Sequence, residues 1–527
     1  MLDLSLPLHL TIAVVPELIV MVGAMLLLLW AAWRPESAAH QRAVGIAAIG
    51  VAVLGLVAVS YYVGRFEATD GAIAVDNFRW LMSIVILIGT IATIALGIED
   101  NERVGIHFAE SHVLVLLASS GMMLLAGARD LMMIFLGIEL MSIAMYALAG
   151  MNRRNPRSAE GALKYFLLGA FSTAFMLYGM ALIYGATGSV RLAEIGERVL
   201  TMNLVASPIF LIGIAMLLVG FGFKVSSVPF HMYAPDVYEG APTAITAYMA
   251  ATVKAAAFAA FIRIWLEAFP LAADAWRPAV AVLAIATMII GNAVGLAQRN
   301  LKRLLAYSSI GHAGYLLVAI AAGTSQGASA MVFYLLAYTI ATFGAFAVIS
   351  MLGRPGDGRV TTDDISGLWH VQPSMAIAMS IFMLALLGFP FFGGAGFLAK
   401  WYIIKAALEA AEPQTMLVVV MAITSVIAAG YYLYVVMVMF MRVRPEGSVV
   451  PAGATGMTRA IIVVAAALTI GIGLVPDLII RYANIARPRI AVPRTAAMIP
   501  PVAPGGAFGR ATPRGDPAPD ASVGRAP

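Results

Sequence analysis

Runs of about 20 predominantly apolar residues recur along this chain from residue 11 to residue 481. Each is long enough, at about 1.5 Å per residue, to cross about 30 Å of hydrocarbon as an α-helix. The expectation is an all-α polytopic membrane protein of about fourteen transmembrane helices. Its spans fall near 11–33, 43–63, 78–98, 111–128, 130–150, 161–186, 207–228, 242–266, 278–298, 301–322, 327–352, 373–408, 415–442 and 459–481. Of 527 residues 61% are hydrophobic and 12% charged, which excludes an ordinary soluble globular chain.

There is no cysteine, so disulfides, thiolate-held iron–sulfur clusters and cysteine zinc sites are excluded within this chain. Redox chemistry is therefore expected in another subunit. The opening MLDLSLPLHL carries no Lys or Arg, and no small-residue cleavage site follows the first apolar run, so that span is expected to be retained.

The net charge of +5 reads as topology, because the basic residues cluster in alternate connections. These hold Arg34 and Arg42, Arg103, Arg153 with Arg154 and Arg157, Arg299 with Lys302 and Arg303, Arg354 and Arg359, and Arg442 and Arg444. The positive-inside rule then puts both termini on the non-cytoplasmic side. No nucleic-acid motif is present. From about residue 487 the chain is rich in Pro, Ala and Arg without apolar periodicity, and disorder is expected there.

Two apolar segments are interrupted alike: GFGFKVSSVPFHMYAPDVYEGAP at 220–242 and LLGFPFFGGAGFLAK at 386–400. Proline removes a backbone donor and glycine loosens the helix, so each segment should break at membrane depth. The breaks lie five spans apart, and an odd offset reverses direction, which predicts two inverted five-helix repeats. The organisation expected is three N-terminal helices at 1–110, a first repeat at 111–270, a second at 271–442, a final helix at 443–486 and a tail at 487–527. The spacing from Glu139 to Lys224 resembles that from His312 to Lys400, so Glu139 and His312 are expected at similar places in the two halves.

Glu139, Lys224, Lys254, His312 and Lys400 lie inside these runs, where an ionised side chain costs about 3 kcal/mol or more. Their recurrence in separate spans points to ion or proton translocation. Glu139 is about nine residues, or about 14 Å, into its span. A lysine that passes protons must reach a neutral form, and Glu139 with Lys224 reads as a switch. Close together both stay ionised; drawn apart, the lysine releases its proton. Lys254, among small residues, would link the halves, and His312 would relay between lysines. The bland alternatives are a structural carboxyl, a static ion pair, a snorkelling Lys400 and a satisfied core histidine.

Lys164 stands near the Arg153–Arg157 connection and is either a topology anchor or a contributor to transfer. His231, with Asp236 and Glu239, follows the first break as part of an access path or as solvated charge. Glu17, near the start of its span, reads as structural. At about 10 Å and a dielectric near 20, two unit charges interact by about 1.7 kcal/mol, so protonation changes can propagate along such a row.

The segments VPFHMYAPDVYEGAP, GALKYFLLGAFSTAF and GGAGFLAKW resemble the N subunit of bacterial NADH-quinone oxidoreductase, respiratory complex I, and the resemblance covers about residues 10 to 480. PDVYEGAP separates it from the L and M subunits, and Lys400 fits, because the M subunit is expected to carry a glutamate there. The resemblance implies a fourteen-helix antiporter-like subunit of the membrane arm in a bacterial inner membrane. Glu139, Lys224, Lys254 and Lys400 become its proton-translocation residues, with Lys164, His312 and His231 as contributors. It implies no cofactor in this chain, with FMN, iron–sulfur clusters and the quinone site in partner subunits. Partners would be the other membrane-arm subunits and the lipid bilayer, with quinone as substrate of the whole complex. The Pro-rich tail departs from the compact ending of that family. An Mrp-type cation/proton antiporter subunit and a non-pumping membrane-arm scaffold are the alternatives.

Overall fold

The computed structural model describes residues 5–65, 71–353, 360–390, 394–444 and 456–486. The tail expected to be disordered lies outside them. The first helices are α1 (Ser5–Trp33), α2 (Ala38–Tyr62), α3 (Asn77–Val104), α4 (Glu110–Gly127), α5 (Leu131–Ala149), α6 (Pro156–Thr187) and the short α7 (Leu192–Thr201). Then come α8 (Pro208–Lys224), α9 (Ala234–Gly240), α10 (Thr243–Tyr248), a π-helical turn at Met249–Val253, and α11 (Lys254–Glu267). The second half holds α12 (Ala273–Gly295), α13 (Leu301–Ala322), α14 (Ser325–Leu352), α15 (Leu368–Val371), α16 (Pro373–Leu387), α17 (Gly394–Leu408) and α18 (Thr415–Met441). The last are α19 (Gly456–Leu474) and α20 (Asp477–Ile485).

Among the described residues twelve helices are long and apolar enough to cross a membrane. Two shorter apolar helices, Pro208–Lys224 and Pro373–Leu387, stand at the two expected breaks. The fold is thus the expected polytopic helical one, with the seventh and twelfth spans interrupted.

The ends of the helices follow from local chemistry. Asp76, Asp130, Asn155, Asn300 and Thr324 each cap a helix by accepting a backbone N–H. Gly188 and Gly323 close α6 and α13 in the left-handed region, at φ 69° and 63°, where glycine is unstrained. The interior is built by Thr243–Glu267, α13 and α14, whose most apolar stretches are 100%, 94% and 94% buried.

Hydrogen bonds at one end of α5 recur at one end of α13. Leu131 N donates to Val190 O at 2.9 Å and Leu192 N to Arg129 O at 3.0 Å. In the second half Leu301 N donates to Val360 O and Thr362 N to Arg299 O, both at 2.9 Å. Counterparts (131 and 301, 190 and 360, 192 and 362, 129 and 299) all differ by 170 positions. The helix contact above them repeats in the same register: a methyl on Gly121 would meet Met141 N at 3.0 Å, and one on Gly291 would meet Gly311 N at 2.6 Å. The two bridges lie five spans apart, so they close opposite ends of the bundle, as an inverted repeat requires.

This register places Glu139 opposite Ser309 and Ser142 opposite His312. Sequence spacing had suggested Glu139 and His312 as counterparts. The difference is one helical turn, because that spacing takes Lys224 and Lys400 as counterparts, whereas Lys224 ends the half-helix before its break and Lys400 lies within the half-helix after its own.

Candidate functional site: a row of buried lysines

α8 is apolar to Phe223 and cannot run past Lys224. Ser226 takes φ 58°, and Pro229 has no N–H to donate. The carbonyl of Phe223 accepts there from Ser226 N at 3.0 Å and from the Tyr233 hydroxyl at 2.9 Å. Lys224, 4% exposed, donates from Nζ to Ser142 Oγ at 2.8 Å. Its charge lies 5.9 Å from the Tyr146 ring centre and 5.7 Å from that of Phe223.

Glu139 is half-buried on the same helix as Ser142, three residues before it. Its Oε1 accepts from Thr173 Oγ1 at 2.9 Å. Leu136 and Ile143 beside it are 57% and 64% exposed, so this carboxylate stands at the outward edge of the bundle. Glu139 is close enough for its charge to act on Lys224, yet Lys224 forms no ion pair among the described residues. The expected switch partners are neighbours, held apart.

Lys254 opens α11 directly after the π turn, a helix irregularity common where function needs one. Its Nζ donates to Ser309 O at 2.6 Å and to Ser309 Oγ at 2.5 Å, across to α13 of the second half. It is the expected link between the halves in position. His312, one turn along α13, bonds through Nδ1 to Tyr334 OH at 2.5 Å and through Nε2 to Tyr432 OH at 3.1 Å. Tyr432 also bonds Ser308. Lys254 and Lys400 both lie near enough for their charge to reach His312.

Lys400 donates to Leu387 O at 2.8 Å and to Ser425 Oγ at 3.1 Å, with the Tyr315 ring centre 4.7 Å away. A cavity of about 10 Å³ opens among His312, Tyr334, Tyr338, Gly396, Ala399 and Lys400, about the room that one water molecule needs. Lys400 mirrors Lys224 only loosely. Lys224 ends the half-helix before its break, whereas Lys400 lies within the half-helix after its own.

Lys164 is not part of this row. Its side chain is 42% exposed and pairs with Glu160 and Asp236, each at 2.7 Å. Asp236 also pairs with Arg303 at 2.6 Å, and Arg303 with Glu239 at 3.2 Å, so a rim of charge fastens α6, α9 and α13. Burial pushes the Asp236 carboxyl up, but the bonds from Lys164 and Arg303 outweigh it and hold it below its ordinary value. His231 is half-buried in the link after α8, and its Nδ1 has no hydrogen-bond partner among the described residues.

Glu17 pairs with Arg79 at 2.7 Å, both buried, and ties α1 to α3. Sequence reasoning missed Arg79, and it missed a second buried network. Arg263 binds Asp76 at 2.8 Å and Glu267 at 2.9 Å, and Glu267 binds Arg129 at 2.7 Å. The signal was present as charges inside apolar runs, but their partners lie up to 187 residues away in sequence. Among the described residues no cluster of His, Cys, Asp and Glu gathers to hold a metal ion.

Residues 128–428 match the family described as NADH:quinone oxidoreductase/Mrp antiporter, TM. A relative from Gemmatimonas aurantiaca, NADH-quinone oxidoreductase subunit N, is 49% identical over 94% of this chain and 96% of its own length. Among solved structures, a chain of respiratory complex I from Thermus thermophilus with bound aureothin is 36% identical. It covers 88% of this chain and 98% of its own, with a TM-score of 0.75. A chain of the Mrp complex from a Dietzia species shares the fold, with a TM-score of 0.77 at 22% identity, covering 92% of this chain and 99% of its own.

Proposed function

This chain belongs to the NADH-quinone oxidoreductase/Mrp antiporter family as a subunit N, and from that premise we propose that its buried lysines carry protons across the membrane. Electron transfer from NADH to quinone, in other subunits, drives them. The observation that carries this reading is the chemistry of the lysine partners. Lys224, Lys254 and Lys400 are each buried, and each donates to hydroxyl or carbonyl oxygens rather than to a carboxylate. A buried carboxylate beside a lysine would favour its charged form and hold its proton. A neutral acceptor holds the ammonium and the free amine alike, so the proton can leave and return.

In this reading Glu139 and Lys224 form the first site and Lys254 joins the halves. His312 relays through its tyrosines, and Lys400 serves the far end. Lys164 and His231 contribute at the access face. The repeats divide at 111–270 and 271–442. FMN and iron–sulfur clusters belong to partner subunits, and quinone is the substrate of the whole complex. The chain lies in the inner membrane of a bacterium, in contact with lipid and other membrane-arm subunits, with both termini on the non-cytoplasmic side. It takes no nucleic acid.

The Mrp-type antiporter reading has the shared family and a fold likeness at 22% identity behind it, against 49% identity to a subunit N. The test is the complex carrying Lys224→Ala or Glu139→Ala, with assembly checked on a native gel. Loss of pumping with assembly intact supports the proposal, and wild-type pumping in both refutes it.

A further inference from the structure

The stretch Glu139, Ser142, Tyr146 occupies positions i, i+3 and i+7 of α5, which is one face of a helix. Lys224 reaches this face from α8 on a flexible four-carbon stem, yet it bonds the middle residue rather than the acid. Ser142 Oγ gives its own proton to Ile138 O at 2.5 Å, so it presents only lone pairs to the amine. Glu139 is occupied in turn by Thr173 Oγ1 at 2.9 Å. The Tyr146 hydroxyl, buried one turn beyond, also acts on Ser142. The amine thus rests at one defined place, on the serine between an acid and a phenol.

Resting on the proton-carrying reading of Glu139 and Lys224, we propose that Ser142 and Thr173 are positioning residues that hold the two apart. Ser142 docks the amine and Thr173 docks the carboxylate. A second lysine is docked in a similar way on α13, one turn out of register with Ser142. The counterpart of Glu139 in α13 is Ser309, and Ser309 docks Lys254 through its hydroxyl and carbonyl. In both halves this face of the helix receives a lysine on a serine. Docked on a hydroxyl, Lys224 is free to discharge. Released from it, the amine falls to Glu139, and an ion pair with a carboxylate fixes its proton.

The test uses the assembled complex in sealed vesicles with Ser142→Ala, Ser142→Thr and Thr173→Val, beside Lys224→Ala. Ser142→Ala is expected to lower coupled turnover about tenfold, the worth of one hydrogen bond to a charged group, with the KM for quinone unchanged. Ser142→Thr, which keeps the hydroxyl, restores it to within about twofold, and Thr173→Val behaves like Ser142→Ala. A density map of either hydroxyl-less variant should place Lys224 Nζ within about 4 Å of the Glu139 carboxylate. Lys224 directed elsewhere in that map overturns the docking role. Wild-type turnover in Ser142→Ala and Thr173→Val, with pumping lost in Lys224→Ala, overturns it too while leaving the proton-carrying reading in place. Wild-type pumping in Lys224→Ala overturns that reading itself.

Discussion

Lys400 Nζ donates to the carbonyl oxygen of Leu387 at 2.8 Å, and Leu387 is the last residue of α16. The break in the twelfth span leaves that carbonyl without an intrahelical N–H. The lysine that would move a proton thereby also satisfies the backbone of the interrupted helix.

The two roles separate by substitution. Lys400→Arg keeps a donor for Leu387 but cannot release a proton, so the complex should assemble while pumping is lost. Lys400→Met removes the donor as well and should cost a further 1–3 kcal/mol or so of stability. Thermal unfolding of the two purified complexes, beside their pumping ratios, distinguishes them.

The repeat predicts unequal costs at two matched glycines. A methyl at position 291 would meet the backbone N of Gly311 at 2.6 Å, whereas one at 121 would meet Met141 N at 3.0 Å. Backbone cannot yield as a side chain does, so Gly291→Ala should destabilise by about 1–3 kcal/mol, and Gly121→Ala by less. Melting temperatures of the two variants give the order.

Arg263 is fully buried between Asp76 and Glu267. Arg263→Gln takes the guanidinium from Asp76 and leaves Glu267 with Arg129, and should cost about 3 kcal/mol. Burial pushes the Asp76 carboxyl up, but the charge and bonds of Arg263 outweigh it and hold it below its ordinary value. A carboxyl depressed in the fold stabilises it above its unfolded value, about 3.9 for Asp. That stability fades as pH falls through the lower folded value. The variant lacks this contribution, so its acid unfolding midpoint should lie at higher pH than that of the parent complex.

Much of this was legible in the sequence for physical reasons. Apolar length fixes the spans, and Pro229 with Ser226 and the glycines from 388 onward fix the breaks. The cost of burying charge singles out Lys224, Lys254 and Lys400. The partners were not legible, because a serine such as Ser142 or Ser309 leaves no trace in an apolar pattern. Of the expected switch, Lys224 rests on the hydroxyl of Ser142 and Glu139 on that of Thr173. Lys164 reads alike as anchor or carrier until Asp236, 72 residues away, appears beside it.

The most direct measurement is the number of protons pumped per NADH oxidised in sealed vesicles carrying Lys254→Met, with assembly verified on a native gel. Lys254 donates to Ser309 on α13, and methionine fills its volume without a proton. A fall in the ratio with the complex intact is the predicted result. An unchanged ratio would contradict a proton path through the buried lysines and leave them as structural charges.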